Sequence, residues 1–388
     1  MTDMADATKE VATEANNRAT NAKDAQSAVK PNRARPNLAT LARRVNYTAS
    51  QAARVAWYSG QSFATRRAAA RIAKQTNIEP PKVERPAGGI PNERQLLTEV
   101  RKLFAADLAN VEAGLYPAPT SRQSPADMLT DARKFFADLP AQQMRRLEGD
   151  HQQPFTEENR QKLPRYYLQN FHFQNDGWLS EESAEVYDTQ VEVLFYGAAA
   201  CMRRQGLVPL AHEMRGRDQR KVRYADIATG PGSFIDDVKS AYPRLPALAV
   251  DLSEPYLNHA KRRLAGRAKV QPLVAMAEQL PFADASLDIA STVFLFHELP
   301  MKVRRQVIAE FARVVKPGGL VVFVDSLQTG DDENLDGLLT LFPQMFHEPY
   351  YNNYLADDVD GAFAEAGLER EYFASAFVSR VAAYRKAG

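Results

Sequence analysis

The stretch Val222-Arg-Tyr-Ala-Asp-Ile-Ala-Thr-Gly-Pro-Gly-Ser-Phe234 decides how this chain is read. It opens with a short apolar run suited to a buried strand, breaks at Gly230 and Gly232, and continues into Ser233 to Ala241, which has helical character. A glycine lacks Cβ, so the backbone bends sharply there and a ligand can approach the main chain; the helix beyond the turn offers free N–H groups. Asp226 lies at the mouth of the turn, a carboxylate placed to hold a cation or a hydrogen-bond donor.

A single glycine turn is common in α/β domains, so the flanking sequence has to decide. The apolar run Ala247 to Val250 ends in Asp251-Leu252, about twenty residues past the glycines, where doubly wound folds place the acid that grips ribose hydroxyls. A nucleoside-bearing cofactor is therefore favoured over a plain turn. The dinucleotide pattern asks for a third small residue under a pyrophosphate, and Ile235 stands there instead, which argues against a pyrophosphate.

Four segments in order, Asp226-Ile-Ala-Thr-Gly-Pro-Gly232, Val250-Asp-Leu-Ser253, Ala277-Glu-Gln-Leu-Pro-Phe282 and Arg313-Val-Val-Lys-Pro-Gly-Gly319, resemble the class I S-adenosylmethionine-dependent methyltransferases, and within them the type 11 group that includes ubiquinone and menaquinone C-methyltransferases. The resemblance covers roughly residues 180 to 388. It implies a Rossmann-like, doubly wound, mostly parallel seven-stranded sheet with a terminal antiparallel strand, and S-adenosyl-L-methionine as cofactor. Residue by residue, it implies that Asp226, Ala228, Gly230 and Gly232 form the first motif, that Asp251 and Leu252 hold the ribose and adenine edge, and that Ala277 lies beside the adenine. Tyr187-Asp188 resembles the pair that reaches the methionine part of the cofactor, and Phe294 ends the fourth strand at the pocket. Relatives commonly carry Asp just before the Ala-Glu pair. This chain has Met276, and a thioether is a poor acceptor for the adenine amino group, so adenine would lean on apolar contact.

The 388 residues allow two domains, or one with extensions. The net charge of +1 conceals an asymmetry, because residues 25–78 contain ten Lys or Arg and no Asp or Glu. The lone Cys201 excludes an internal disulfide and suits a reducing compartment; the expected location is cytoplasmic, with peripheral contact at the inner membrane face as a further reading. No apolar run is long enough to span a bilayer, and the start lacks the pattern of a secretory signal.

Residues 1–37 read as a disordered tail, poor in large apolar side chains. Residues 38–76 read as a basic amphipathic helix, with Leu38, Leu41, Val45, Ala52, Val55, Ala56 and Phe63 on one side and Arg43, Arg44, Arg54, Arg66, Arg67 and Arg71 supplying cations. Two readings of it carry equal weight: rest on an anionic membrane, or docking on this chain or a partner; nucleic acid, with Trp57 and Tyr58 stacking on bases, is a weaker third. The prolines and glycines of residues 77–91 mark a linker. Residues 92–218 read as an α-helical cap, with helices after Asn92, over Ser124–Leu139 and over Ser180–Arg204, and residues 219–388 as the cofactor-binding domain. Strands are expected at Val270–Ala275, Leu287–Phe294 and Leu320–Asp325, a helix at Met301–Val315, and a closing strand pair at Glu369–Ala374 and Phe377–Arg385.

The aromatic group Tyr167, Phe171 and Trp178, and the tyrosines Tyr350 and Tyr354, are candidates to wall a planar or apolar acceptor; the alternative for the first three is a weld between cap and sheet. Methyl transfer from a sulfonium needs alignment and exclusion of water, and a base only where the acceptor must lose a proton. His297-Glu298 and His347 are the candidates for that base, and no metal site is expected. The reading is methyl transfer to a small apolar or aromatic acceptor, with a lipid-soluble quinol-like ring in view. Rival readings are an RNA or protein methyltransferase steered by the basic arm, against which the Asn-Pro-Pro-Tyr type of motif is absent, and a non-catalytic cofactor-binding scaffold.

Overall fold

The computed structural model describes residues 38–86, 89–119 and 124–388; the tail expected over residues 1–37 lies outside the described residues. Seven strands, β1 (Tyr224–Ile227), β2 (Ala247–Asp251), β3 (Val270–Val274), β4 (Leu287–Val293), β5 (Val315–Ser326), β6 (Leu368–Ala376) and β7 (Ser379–Lys386), form one sheet in the order β3-β2-β1-β4-β5-β7-β6. β1 pairs in parallel with β2 on one side and β4 on the other, so the strand order reverses at β1. In such sheets ligands bind beyond the carboxyl ends of the strands at that switch point. All four residues of β1 are buried, as an apolar run covered on both faces requires. β7 runs antiparallel to β5 and β6, which is the expected closing pair.

β5 starts earlier than the apolar run Leu320–Asp325 suggested. Leu287 pairs with Val315 and Ile289 with Leu320, so the segment Lys316 to Gly319 bulges out of the ladder between two paired positions. A Cβ on Gly319 would lie 2.8 Å from the carbonyl oxygen of Asp288, which is why that corner is glycine.

Helices α1 (Leu38–Thr76), α2 (Glu93–Glu112), α3 (Pro125–Glu148), α4 (Glu181–Leu194) and α5 (Ala199–Arg204) precede the sheet. Capping boxes at Asn92 and Ser124 start α2 and α3. Two helices differ from expectation. α3 continues through Pro140 to Glu148, where Gly149 in the left-handed region ends it. The single helix expected over Ser180–Arg204 is broken, because Tyr196 and Gly197 take φ of 53° and 84°. Gly197 lies against Arg54 and Tyr58 of α1, and a Cβ there would be 3.1 Å from the Arg54 carbonyl oxygen. The Glu192 carboxylate then accepts from the Ala200 N–H at 2.8 Å and restarts the chain as α5.

α1 is one continuous helix that docks on the cap, but not through the stripe read from the sequence. Tyr47 donates to the buried Asp107 at 2.6 Å, Arg54 pairs with Glu192 at 2.5 Å, Arg44 pairs with Glu112 at 2.6 Å, and Tyr58 packs on Phe135 and Val193. Asp107 also accepts from Arg204 and Tyr116, so one buried carboxylate ties α1, α2 and α5 together. The apolar stripe lies on the opposite side and faces outward: Leu38, Leu41, Val45 and Phe63 are 85%, 50%, 58% and 57% exposed.

Candidate active site

The glycine turn is built by the hydroxyls around it. Asp226 accepts from Thr229 at 2.7 Å and from Ser291 on β4 at 2.6 Å, and the Ser291 hydroxyl also meets the Tyr224 hydroxyl. The turn itself is left-handed at Ala228, Gly230 and Gly232, with φ of 57°, 54° and 81°. The two glycines serve different ends. A Cβ on Gly230 would find nothing within 4 Å, so this face is open to a ligand, whereas a Cβ on Gly232 would sit 3.0 Å from Ala260. Asp251 at the end of β2 accepts from the Gly230 N–H at 2.7 Å and the Ser253 N–H at 2.8 Å. Burial raises the carboxyls of Asp226 and Asp251 to about 6 each.

Beside this turn lies a cavity that opens to solvent. Asp226, Ala228, Gly230, Asp251 and Leu252 line one wall, Ala277 with Glu278 another, and Tyr187, Phe294 and Glu298 its far end. Tyr166, Tyr167 and Trp178 roof it, and Tyr166 donates to Glu278 at 2.5 Å. Asp188 accepts from Ser233 at 2.8 Å and pairs with Arg263; burial works to raise it, but Arg263 and Arg203 hold it well below the usual carboxylate range.

A second chamber of about 600 Å³ adjoins the first. Tyr187, Phe294 and Glu298 line both. Its body is apolar, walled by Val191, Leu194 and Phe195 from α4 and its end, and by Leu339, Phe342 and Tyr351 from the segment after β5. One corner is polar. His297 Nδ1 lies 2.6 Å from Asp325, whose other oxygen accepts from the Leu295 and Phe296 N–H groups, so Asp325 both shapes the turn after β4 and aims the imidazole. His172 Nε2 lies 2.9 Å from Glu348 and 3.7 Å from Glu298. Burial opposes charge on both rings, but the facing carboxylates win and raise His297 to about 9 and His172 to about 10. Burial lifts Glu298 to about 7.

The sequence reading brings together Tyr187, Asp226, Ala228, Gly230, Asp251, Leu252, Ala277, Phe294, His297 and Glu298 at these cavities. Tyr167 and Trp178 are present too, but at the roof of the turn cavity rather than in the second chamber. Phe171 is buried behind them, stacked on Trp178 at 4.4 Å, which is the weld rather than the wall. Gly232 and Met276 do not line the cavity. His347 is outside both: its Nε2 meets Gln169 at 2.7 Å, its ring stacks on His151, and burial lowers it to about 4. Tyr350 bonds Gln169, and Tyr354 donates to the Ser326 carbonyl beneath His297; neither faces the chamber. Tyr351, beside Tyr350, lines the chamber instead, and Glu348, beside His347, pairs with His172, which also lines it. His172 was read only as one of the aromatic stretch from Tyr166 to Trp178; Val191, Leu194 and Phe195 were missed, and they follow Tyr187 at helical spacing, which is the signal that could have found them.

Residues 225–319 match the family model described as a methyltransferase domain, and they span the glycine turn, Asp251 and the Lys-Pro-Gly-Gly corner. Over these residues the chain is similar to methyltransferase domains. The open face at Gly230 with the adjacent Asp251 acceptor suits a nucleoside such as that of S-adenosyl-L-methionine. The domain is similar to the ubiquinone/menaquinone biosynthesis C-methyltransferase UbiE of Syntrophotalea carbinolica, 32% identical over 39% of this chain and 60% of that protein. It is also similar to the malonyl-[acyl-carrier protein] O-methyltransferase of Methylococcus capsulatus, 29% identical over 33% of this chain and 46% of that protein. A solved SAM dependent methyltransferase from Aquifex aeolicus is 18% identical, covering 46% of this chain and 87% of that chain with a TM-score of 0.35. The chain spans about half the length of the curated relatives it matches.

Proposed function

We propose that the chain transfers a methyl group from S-adenosyl-L-methionine to a small acceptor with an apolar body and a polar, proton-bearing head. One observation carries this: the cavity at the glycine turn and the apolar chamber meet at Tyr187, Phe294 and Glu298. The bound sulfonium supplies an already activated methyl group, so the work left to the protein is alignment and exclusion of water. Phe294 and Tyr187 hold the two ligands in register and keep water from the junction. The apolar walls from α4 and from the segment after β5 take the acceptor's body. His172, His297 and Glu298 receive its head, and a proton released there passes to a carboxylate or to solvent. Acyl chains and ring-bearing lipids both fit such a shape, in keeping with the chemistry named for the two relatives.

An acceptor of that kind partitions into lipid, and α1 suits a protein that visits a bilayer. Its outward face carries Leu38, Leu41, Val45 and Phe63 together with Arg67, Arg71 and Lys74, and the helix contains no acid. We read this face as resting on an anionic membrane; a second copy would oppose like charges. The test of the main reading is incubation of the purified full-length chain with methyl-labelled S-adenosylmethionine and fractionated cell extract. Label in the organic phase is expected, and label confined to RNA or protein overturns the small-molecule acceptor.

A further inference from the structure

We infer that His172, Glu298 and Glu348 form a divalent metal site at the junction of the two cavities, resting on the reading that the apolar chamber takes the acceptor. Among the described residues this is the group whose ligand atoms come together, one imidazole nitrogen and two carboxylate oxygens all within 4.8 Å of one another. The separations of 2.9 Å and 3.7 Å from His172 Nε2 to the two carboxylates bracket the ~3 Å edge of a polyhedron whose metal–ligand bonds are about 2.1 Å long.

A second, independent observation points to a cation. The Glu348 side chain is fully buried; its Oε1 lies 2.9 Å from His172 Nε2, and among the described residues neither of its oxygens meets an aligned hydrogen-bond donor. A buried carboxylate costs several kcal/mol unless it is paired and bonded, and here a second buried carboxylate, Glu298, stands close by. One imidazole offers at most a single positive charge and one N–H toward the pair. A divalent ion would neutralise both carboxylates and use the lone pairs that a single imidazole leaves unmatched.

The scaffold brings the three together from three separate segments. His172 sits in a tight turn with φ of 53°, a conformation uncommon outside glycine. Its N–H donates to the His347 carbonyl at 3.2 Å, pinning its segment to the one that bears Glu348, and Gln142 donates to its own carbonyl at 3.1 Å. Glu298 is fixed by the turn after β4 that Asp325 holds. One nitrogen and two oxygens make a donor set suited to Mn²⁺, Fe²⁺ or Zn²⁺ rather than to a soft ion. Glu348 closes the back of the cluster while His172 and Glu298 line the chamber, so further coordination positions open toward the acceptor. An oxygen or nitrogen bound there has its proton made more acidic, which gives the acceptor head its nucleophile without a dedicated side-chain base.

The test uses the full chain, freed of metal with a chelator and titrated with Mn²⁺ and with Zn²⁺ by calorimetry, with bound metal counted by mass spectrometry. One ion per chain is expected. H172A and E348Q should each weaken that binding by at least about tenfold while S-adenosylhomocysteine affinity stays unchanged, which also shows that both variants fold. H347A, in the same segment but outside the cluster, should bind metal like the parent. Absence of binding for both ions, or binding by E348Q and H172A as tight as the parent's, overturns the site. Metal that binds as described in a chain that methylates nothing in the organic phase leaves the site standing and removes the acceptor reading instead.

Discussion

Replacing Asp251 with Asn tests the cofactor cradle directly. Each carboxylate oxygen already accepts one backbone N–H, from Gly230 at 2.7 Å and from Ser253 at 2.8 Å, and the residue lines the cavity with its remaining lone pairs. A ribose diol offers two hydroxyl donors, and a hydrogen bond to a charged group contributes about 1.5–3 kcal/mol. The amide of D251N removes the charge and one acceptor oxygen, so a loss of about 3 kcal/mol is expected, on the order of 100-fold in Kd. The amide must also turn its NH₂ toward one of the two backbone N–H groups, which costs about 1–3 kcal/mol of fold stability and should appear as a lower Tm of the free protein. Calorimetry with S-adenosylmethionine and S-adenosylhomocysteine at neutral pH gives the answer, and the two ligands should suffer alike because the sugar is common to both. Folded D251N with affinities within about threefold of the parent, or a loss confined to one ligand, refutes the reasoning.

G230A and G232A should part company: each pays about 1–2 kcal/mol for a left-handed alanine, but G230A should mainly abolish S-adenosylhomocysteine binding, whereas G232A, pressed on Ala260, should mainly lower the Tm. Equal effects in both assays would count against an open face at Gly230. Because Asp226 and Asp251 are raised to about 6, their carboxylates are ionised above that pH and neutral below it. A ligand that donates to the ionised form should bind progressively less well as pH falls through about 6, with proton release linked to binding; a flat calorimetric profile from about pH 8 to about pH 5 contradicts this. The full chain should sediment with vesicles rich in anionic lipid, less so as salt rises, and L41E combined with F63E should abolish it. A parent chain that ignores such vesicles removes the membrane contact.

The catalytic domain was legible because its signals are local. A buried strand, two glycines and an acid at the end of the next strand are enforced by backbone geometry within a few residues, and the structure keeps them in register. The acceptor side was less legible because its geometry arises between distant segments. Whether His347 or Glu348 turns inward depends on His151 and Gln169 capturing the former, and that contact has no trace in the sequence around position 347. The same holds for α1. Periodicity found its apolar stripe, yet the helix docks through Tyr47, Arg54 and Tyr58, because a polar cap surface with Asp107 and Glu192 to satisfy outbids a stripe of leucine and valine.

Glu192 touches Arg54 with the same oxygen that starts α5, and the two residues just before that helix break, Leu194 and Phe195, wall the apolar chamber. Displacement of α1 would therefore disturb a helix break that borders the apolar chamber, while the glycine turn, held by Asp226 and Asp251 within the sheet, stays put. Loosening of the amino-terminal helix, as in R54A, is thus expected to change the shape of that chamber before it touches the grip on a nucleoside at the glycine turn.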